Sequence, residues 1–234
     1  MDRHIMRQID LFSDLGGEER ELLAKRCSWQ RYETGELVVS QNDRSTDVYL
    51  IAFGRVRVTL YSNAGREVSF RELAAGESFG ELSAIDGAAR SAHVITLHET
   101  MLGTMPAAVF AETLKQHPEV MWAVLNKLTK LVRALSERVF EFATLGVNNR
   151  IHAELLRRAR VDEQDERGII DPAPTHAEIA SVISTHREAV TREINKLAKD
   201  GLLLKGHGRL EVTDMSRLRQ MVDEAVGSEA TPKS

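Results

Sequence analysis

Residues 175–213 read THAEIASVISTHREAVTREINKLAKDGLLLKGHGRLEVT. Thr175-His176-Ala177-Glu178 and Thr185-His186-Arg187-Glu188 both have the Thr-x-x-Glu form of a capping box, which starts a helix. Ile179, Ala180 and Ile183 share one face of the first helix, and Val190, Ile194 and Leu197 one face of the second, so the two stripes can meet in a common core. Only a short turn at Ile183-Ser184-Thr185 separates them. This is the helix-turn-helix pattern, with Ser184 where the turn usually carries glycine. Gly201 then opens a glycine-bounded pair of short apolar runs, Leu202 to Thr213, that reads as a β-hairpin wing.

A winged helix-turn-helix brings the amino-terminal turns of its second helix to the major groove of DNA. Arg187 and Arg192 near one outward face can each take guanine O6 and N7, and Glu188 can accept from cytosine N4, although capping alone accounts for that glutamate. Thr175, His186 and Lys205 flank the same surface, with Lys205 in the wing placed for a phosphate. Residues 175–209 hold six Lys or Arg against four Asp or Glu. The whole chain of 234 residues is not basic: Lys and Arg number 31, Asp and Glu 35, and the net charge is −4. DNA binding therefore rests on local placement, not on bulk charge.

Upstream, Gly146-Val147-Asn148-Asn149 reads as a hinge, and another helix is expected at about 148–161. The acidic stretch Asp162 to Pro174 follows it, and an amphipathic helix is expected at about 214–226. Before the hinge, Pro106 opens a helical region broken at His117-Pro118. In it Met121, Leu125, Leu128, Val132, Leu135, Val139 and Phe142 follow 4-3-4-3-4-3 spacing, an apolar seam of three heptads. A buried helix of a monomer would also carry apolar residues, but so strict a seam favours contact between two parallel copies, a homodimer.

Between 30 and 104 the texture is that of strands: Leu37–Val39, Val48–Ile51, Val56–Leu60, Val68–Phe70 and His93–Ile95, with glycines between them and a hairpin turn at Asn63-Ala64-Gly65. A compact antiparallel barrel or roll is expected, preceded by a short helix over 11–27. Ser13 or Asp14 caps that helix in this reading, and Leu15, Leu22 and Leu23 form its buried stripe. Inside the roll, residues 76–94 read GESFGELSAIDGAARSAHV. Arg90, Ser91 and the amides near Glu81 and Leu82 suit a phosphate, and Glu81 suits a ribose hydroxyl.

Composition excludes several classes. Hydrophobic residues at 42% and charged residues at 28% describe a globular chain. Cys27 is the one cysteine, which removes an internal disulfide framework and a four-thiolate cluster and fits a reducing cytoplasm. Histidines have no metal-ligand spacing, so no metal is expected. The opening Met1-Asp2-Arg3-His4 lacks the apolar run of a signal peptide. No uncharged apolar run approaches the ~18 residues of a membrane span, so no membrane partner is expected. No G-x-S-x-G or P-loop is found, so the chain reads as a non-enzyme.

The motif FGELS…ARSAHV resembles the phosphate-binding cassette of cyclic-nucleotide-binding domains. With the long helix and the motif REAVTR after it, in that order, residues 10–226 resemble the bacterial CRP/FNR regulators and, within them, the cyclic AMP receptor protein branch. The resemblance implies an α+β fold: a β-roll nucleotide domain (1–117), a dimerisation helix (118–146), a winged helix-turn-helix domain (147–227) and a flexible tail (228–234). It implies that Gly80, Glu81, Arg90 and Ser91, with Leu82 beside them, hold the ribose and cyclic phosphate. It places Ser136 against the nucleotide of the other subunit, and Arg187, Glu188 and Arg192 on a TGTGA-type half-site. Two positions depart from the family. Leu135 replaces a threonine that meets the adenine amino group, and Leu131 replaces an arginine that supports the ribose carboxylate, leaving Lys130 and Arg133 as the nearby cations. The ligand is accordingly cyclic AMP (cAMP) or cyclic GMP (cGMP), with Ser91 available to a syn guanine. The expected protein is a cytoplasmic, allosteric, homodimeric transcription regulator that binds double-stranded DNA at an inverted repeat. RNA polymerase is a further partner if it activates. The alternatives are a family member acting without a nucleotide, or a cyclic-nucleotide-binding regulatory subunit.

Overall fold

The computed structural model describes residues 5–61, 67–162 and 166–228, and the chain divides into two units, Met1–Val132 and Arg133–Ser234. In the first unit, short 3₁₀ turns at Ile5–Gln8 and Asp10–Phe12 precede α1 (Gly17–Lys25). The start of α1 differs from the expectation of a Ser13 or Asp14 cap. Its N-cap is Gly16, whose N–H donates to Glu19 Oε2 at 2.8 Å, because a carboxylate in the first turn can reach back to the orphan amides. Leu15 and Leu23 are buried, but Leu22 is 60% exposed; adjacent helical residues point about 100° apart, so one of the pair faces out.

Eight strands and a short helix follow: β1 (Ser28–Tyr32), β2 (Leu37–Val39), β3 (Val48–Phe53), β4 (Arg55–Tyr61), β5 (Glu67–Ala74), β6 (Ser78–Phe79), α2 (Glu81–Asp86), β7 (His93–Thr96) and β8 (Thr100–Met105). They form two antiparallel sheets, ordered β1-β8-β3-β6 and β2-β7-β4-β5. Alternation along β3 serves two cores. Ile51 joins Val39, Val56, Leu73, Phe79, Val94 and Leu102, while Val48 and Leu50 join Ile9, Phe12, Met105 and Phe110. Strands β1 and β8 carry no alternating signal and escape sequence reading. They are held in register by a close pairing in which Gly103 lies under Trp29, where a Cβ would stand 2.7 Å from the indole ring. The hairpin expected at Asn63-Ala64-Gly65 lies outside the described residues.

Helices α3 (Ala107–Gln116) and α4 (Pro118–Thr144) meet at His117, which Pro118 holds out of the helical region at φ −125°, ψ 89°. Val120 and Val124 of α4 complete the second core.

The second unit contains the last turns of α4, then α5 (Val147–Arg158), β9 (Arg160–Asp162), β10 (Arg167–Ile170), α6 (His176–Val182), α7 (Arg187–Lys199), β11 (Leu203–Lys205), β12 (Leu210–Val212) and α8 (Met215–Ser228). Helix α5 stops short of the expected 161 because Arg160 begins a strand. The stretch read as an acidic connection contributes β10, and the wing becomes part of a four-stranded sheet, β11-β12-β10-β9. Ile151, Leu155, Ile179, Ile183, Val190, Ile194, Leu197, Leu203 and Val212 build one core.

Candidate binding sites

Gly80 caps α2 with φ +90°, and a Cβ there would stand 2.6 Å from Asp47 O and 2.7 Å from Arg90 Nη1. Glycine is required both by the left-handed backbone and by the passage of the arginine. Arg90 is 3% exposed. Its Nε donates to Ser45 Oγ (3.0 Å), Nη1 to Gly80 O (3.2 Å) and Nη2 to Asp47 O (2.8 Å), and its guanidinium lies over the Tyr49 ring at 5.5 Å. Every one of these oxygens is uncharged, and among the described residues no carboxylate pairs with Arg90. A guanidinium has five N–H groups. The three bonds use Nε and one N–H on each terminal nitrogen, so one remains on each, the pair that grips a phosphate bidentately. Such a charge is costly to bury without an anion, so the arrangement fits a cyclic phosphate.

Glu81 opens α2 and is 6% exposed. Lys127 Nζ stands 3.0 Å from Glu81 Oε2 as an ion pair; the approach falls outside hydrogen-bond geometry, and this buried oxygen has no hydrogen-bond partner. The ammonium donates instead to Ser78 O (2.6 Å) and Ser78 Oγ (2.8 Å). Burial pulls the Lys127 ammonium below its ordinary range while Glu81 opposes that shift. The carboxylate thus has a cation to balance it and an acceptor to spare, which suits a ribose hydroxyl. Sequence reading named Lys130 and Arg133 as the nearby cations, but both are exposed and the structure puts Lys127 there instead. A signal was present: Val120, Val124 and Lys127 follow 4-3 spacing and share the face that packs on the roll. Leu82 and Ser91 are exposed, and Leu135 and Ser136 lie on exposed turns of α4 in the second unit.

The seam of α4 is open. Met121, Leu125, Val132, Leu135, Val139 and Phe142 are between 40% and 68% exposed, while Leu128 is packed against the first unit's core.

In the helix-turn-helix, the Thr175–Glu178 box forms as expected, with Thr175 N donating to Glu178 Oε2 (2.8 Å) and Glu178 N to Thr175 Oγ1 (3.2 Å). The second box does not. Helix α7 begins one residue later, with His186 as an N-cap that makes no side-chain bond, because Thr185 N is drawn back to Ala180 O (2.9 Å) to close the turn. Ser184 supplies the positive φ of that turn, +52°, where glycine was expected. Arg187, Glu188 and Arg192 are all exposed on the first turns of α7, and Lys205 Nζ in the wing reaches Asn195 Oδ1 at 2.5 Å.

Beneath α7 lie charges that sequence reading missed. His152 of α5 and Glu193 of α7 are 2% and 4% exposed and are joined by Nε2···Oε1 at 2.8 Å, while His152 Nδ1 is buried without a partner. Burial holds the imidazole below its ordinary pKa against the pull of Glu193. Glu154, also 2% exposed, gathers Arg138, Arg157 and Arg158, and Arg138 Nη1 donates to Val182 O at the end of α6 (2.9 Å). Their signal is a charged residue one position from an apolar stripe, which sequence alone does not separate from a solvated face.

The cyclic nucleotide-binding domain family matches residues 29–117, and the Crp-like helix-turn-helix domain family matches residues 149–221. The cyclic AMP receptor protein of Thermus thermophilus is 29% identical over 219 residues, covering 92% of this chain and 98% of that one. The cAMP-activated global transcriptional regulator CRP of Salmonella typhimurium is 25% identical over 191 residues, covering 81% and 90%. A CooA mutant structure from Carboxydothermus hydrogenoformans shares the fold, with a TM-score of 0.75 at 20% identity over 85% of this chain and 89% of that one. No helix among the described residues is long and apolar enough to cross a membrane. A roll carrying a nucleotide cassette, a long helix and a winged helix-turn-helix, matched along nearly the whole length of its relatives, make this chain a member of the CRP/FNR family of transcription regulators, which are DNA-binding proteins and not enzymes.

Proposed function

We propose that this regulator is a homodimer gated by a purine cyclic nucleotide, cAMP or cGMP, and that it reads an inverted-repeat DNA site. The observation that carries the nucleotide reading is Arg90: a buried cation with neutral partners and two N–H groups to spare, nine positions along the chain from a buried carboxylate whose oxygen lacks a hydrogen bond. Arg90, with Ser91, takes the phosphate, and Glu81, balanced by Lys127, takes the ribose. Gly80 makes room, and Leu82 lies on the exposed side of α2. Similarity to cyclic AMP receptor proteins supports the same ligand class.

The exposed α4 seam supports dimerisation, since exposed apolar surface of this regularity is stabilised by a second copy. In that dimer Ser136 and Leu135 approach the partner's nucleotide, and the purine is chosen there: Leu135 offers adenine no hydrogen bond. Two α7 helices then lie one duplex turn apart, about 34 Å, and the half-sites are about ten base pairs apart. Arg187, Arg192 and Glu188 read bases, and Thr175, His186 and Lys205 meet the backbone.

Isothermal titration with cAMP and with cGMP tests the first step. Wild type binds one of them, and Arg90→Ala, which removes the bidentate contact, binds neither while keeping its circular dichroism spectrum. Unchanged affinity in Arg90→Ala would end the phosphate role. A gel shift on a TGTGA-type palindrome against scrambled DNA, with and without nucleotide, tests the second. Equal affinity under all conditions would end the ligand-gated, sequence-specific reading.

A further inference from the structure

One stripe of α7 carries a basic group at every rung. Arg187, Thr191 and Asn195 are four residues apart and so lie on one face, with rungs about 6 Å apart along the axis. Arg187 is itself the first cation. Asn195 holds the second, Lys205 of β11, by Oδ1. Thr191 holds the third group, His176 of α6, with Nδ1···Oγ1 at 2.8 Å. Three elements thus converge on a row whose middle member is a histidine.

The hydroxyl of Thr191 decides what that histidine presents. Its single proton goes to Arg187 O at 3.0 Å, so toward His176 it can only accept. Nδ1 therefore carries the ring proton, and in the neutral imidazole Nε2 offers a lone pair. A lone pair opposes a phosphate oxygen. A proton on Nε2 converts the same atom into a charged donor, and the row into three cations. The charged groups acting on His176 from the packed elements are Lys205 of β11 and Arg187 of α7. On its own helix Glu178 is engaged by the Thr175 cap, and among the described residues His176 has no carboxylate partner. Burial first, then Lys205 and Arg187, hold the imidazole below its ordinary value, so the unbound protein keeps it neutral at physiological pH. A phosphate laid along the row reverses the sign of that field.

We infer that His176 is a proton-linked contact to the sugar-phosphate backbone: each His176 takes up a proton when duplex DNA binds, and affinity rises as pH falls through the histidine range. This rests on the DNA-binding role of the family and adds a determinant that reads charge, not bases. The bound state holds more protons than the free state, so the association constant increases toward low pH, by at most about tenfold per pH unit for each histidine. Because the contact is to phosphate, the same slope is expected on any duplex.

The test is fluorescence anisotropy of two labelled duplexes, a TGTGA-type palindrome and a scrambled sequence, at constant ionic strength between pH 6 and 8, with and without cAMP or cGMP. Wild-type affinity is expected to fall at least about fivefold over that range on both duplexes. His176→Gln, which keeps a donor for Thr191, flattens the profile at the weak level, and His176→Lys flattens it at the tight level. His207→Gln, in the loop between β11 and β12, leaves the slope intact. A wild-type slope retained in His176→Gln, or abolished by His207→Gln instead, overturns the inference. Absence of binding to both duplexes at every pH would remove the DNA reading itself, and this inference with it.

Discussion

Replacing His152 by leucine isolates the buried pair under α7. The change keeps the volume apolar and removes the donor that Glu193 faces at 2.8 Å, leaving a carboxylate that is 4% exposed with no counterpart on α5. Breaking a buried pair from one side costs about 3–5 kcal/mol, because the remaining charge stays desolvated. A unit of this size is stable by about 5–15 kcal/mol, so the loss is a large share of its stability. His152→Leu combined with Glu193→Leu removes both ends and should lie within about 1 kcal/mol of wild type. Both tryptophans, Trp29 and Trp122, are in the first unit, so tryptophan fluorescence follows that unit and not this one. Calorimetry and far-ultraviolet circular dichroism are the appropriate measurements. A pH dependence accompanies the pair. The folded imidazole titrates below its ordinary 6.5, so below that value the unfolded chain binds a proton that the folded unit refuses. Stability therefore falls as pH drops through this window, by at most about 1.4 kcal/mol per unit, and is constant above it. The buried Nδ1 gives the geometric reason, since a proton there would have no acceptor. A loss under about 1 kcal/mol in His152→Leu, or a double variant no more stable than the single one, would refute the reasoning.

Ser184→Gly should stabilise the second unit by about 0.5–1 kcal/mol in thermal unfolding, since it relieves a left-handed serine; no gain would show that the turn is unstrained at +52°. Val132→Glu should leave monomers in sedimentation, because a charge at a 61% exposed seam position would be buried twice in a two-fold contact; an unchanged dimer would place association elsewhere. Lys127→Met should weaken nucleotide binding while leaving the preference between cAMP and cGMP unchanged, since it acts on the ribose carboxylate and not the purine; unaltered affinity in titration would count against that support. Arg192→Ala should relax the preference at one guanine of each half-site by about 1–3 kcal/mol, whereas Lys205→Ala should weaken all duplexes alike. Gel shifts on single-base variants of the palindrome separate these two outcomes.

Local patterning was enough for the helix-turn-helix, the long helix and most of the roll. Each rests on contacts between residues a few positions apart: a Thr-x-x-Glu cap, a heptad seam, alternating β-branched runs between glycines. The cassette was legible for a different reason. Gly80, Glu81 and Arg90 are close in the chain, and their chemistry matches one ligand. What local pattern could not decide was which distant groups meet. Strands β1 and β8 are built from Trp29 over Gly103, a pairing across the roll with no periodicity to announce it. Lys127, 46 positions beyond Glu81, becomes the balancing cation because α4 lays its Val120–Val124 face on the roll, whereas Lys130 and Arg133 turn outward. The second capping box also failed on a tertiary demand: the turn needed Thr185 N for Ala180 O, which moved the start of α7 to Arg187. His152 with Glu193, and His176 with Thr191, were invisible for the same reason. A charged or polar residue at helical spacing looks solvated until a second helix is packed against it, and only that packing removes the water and selects the partner.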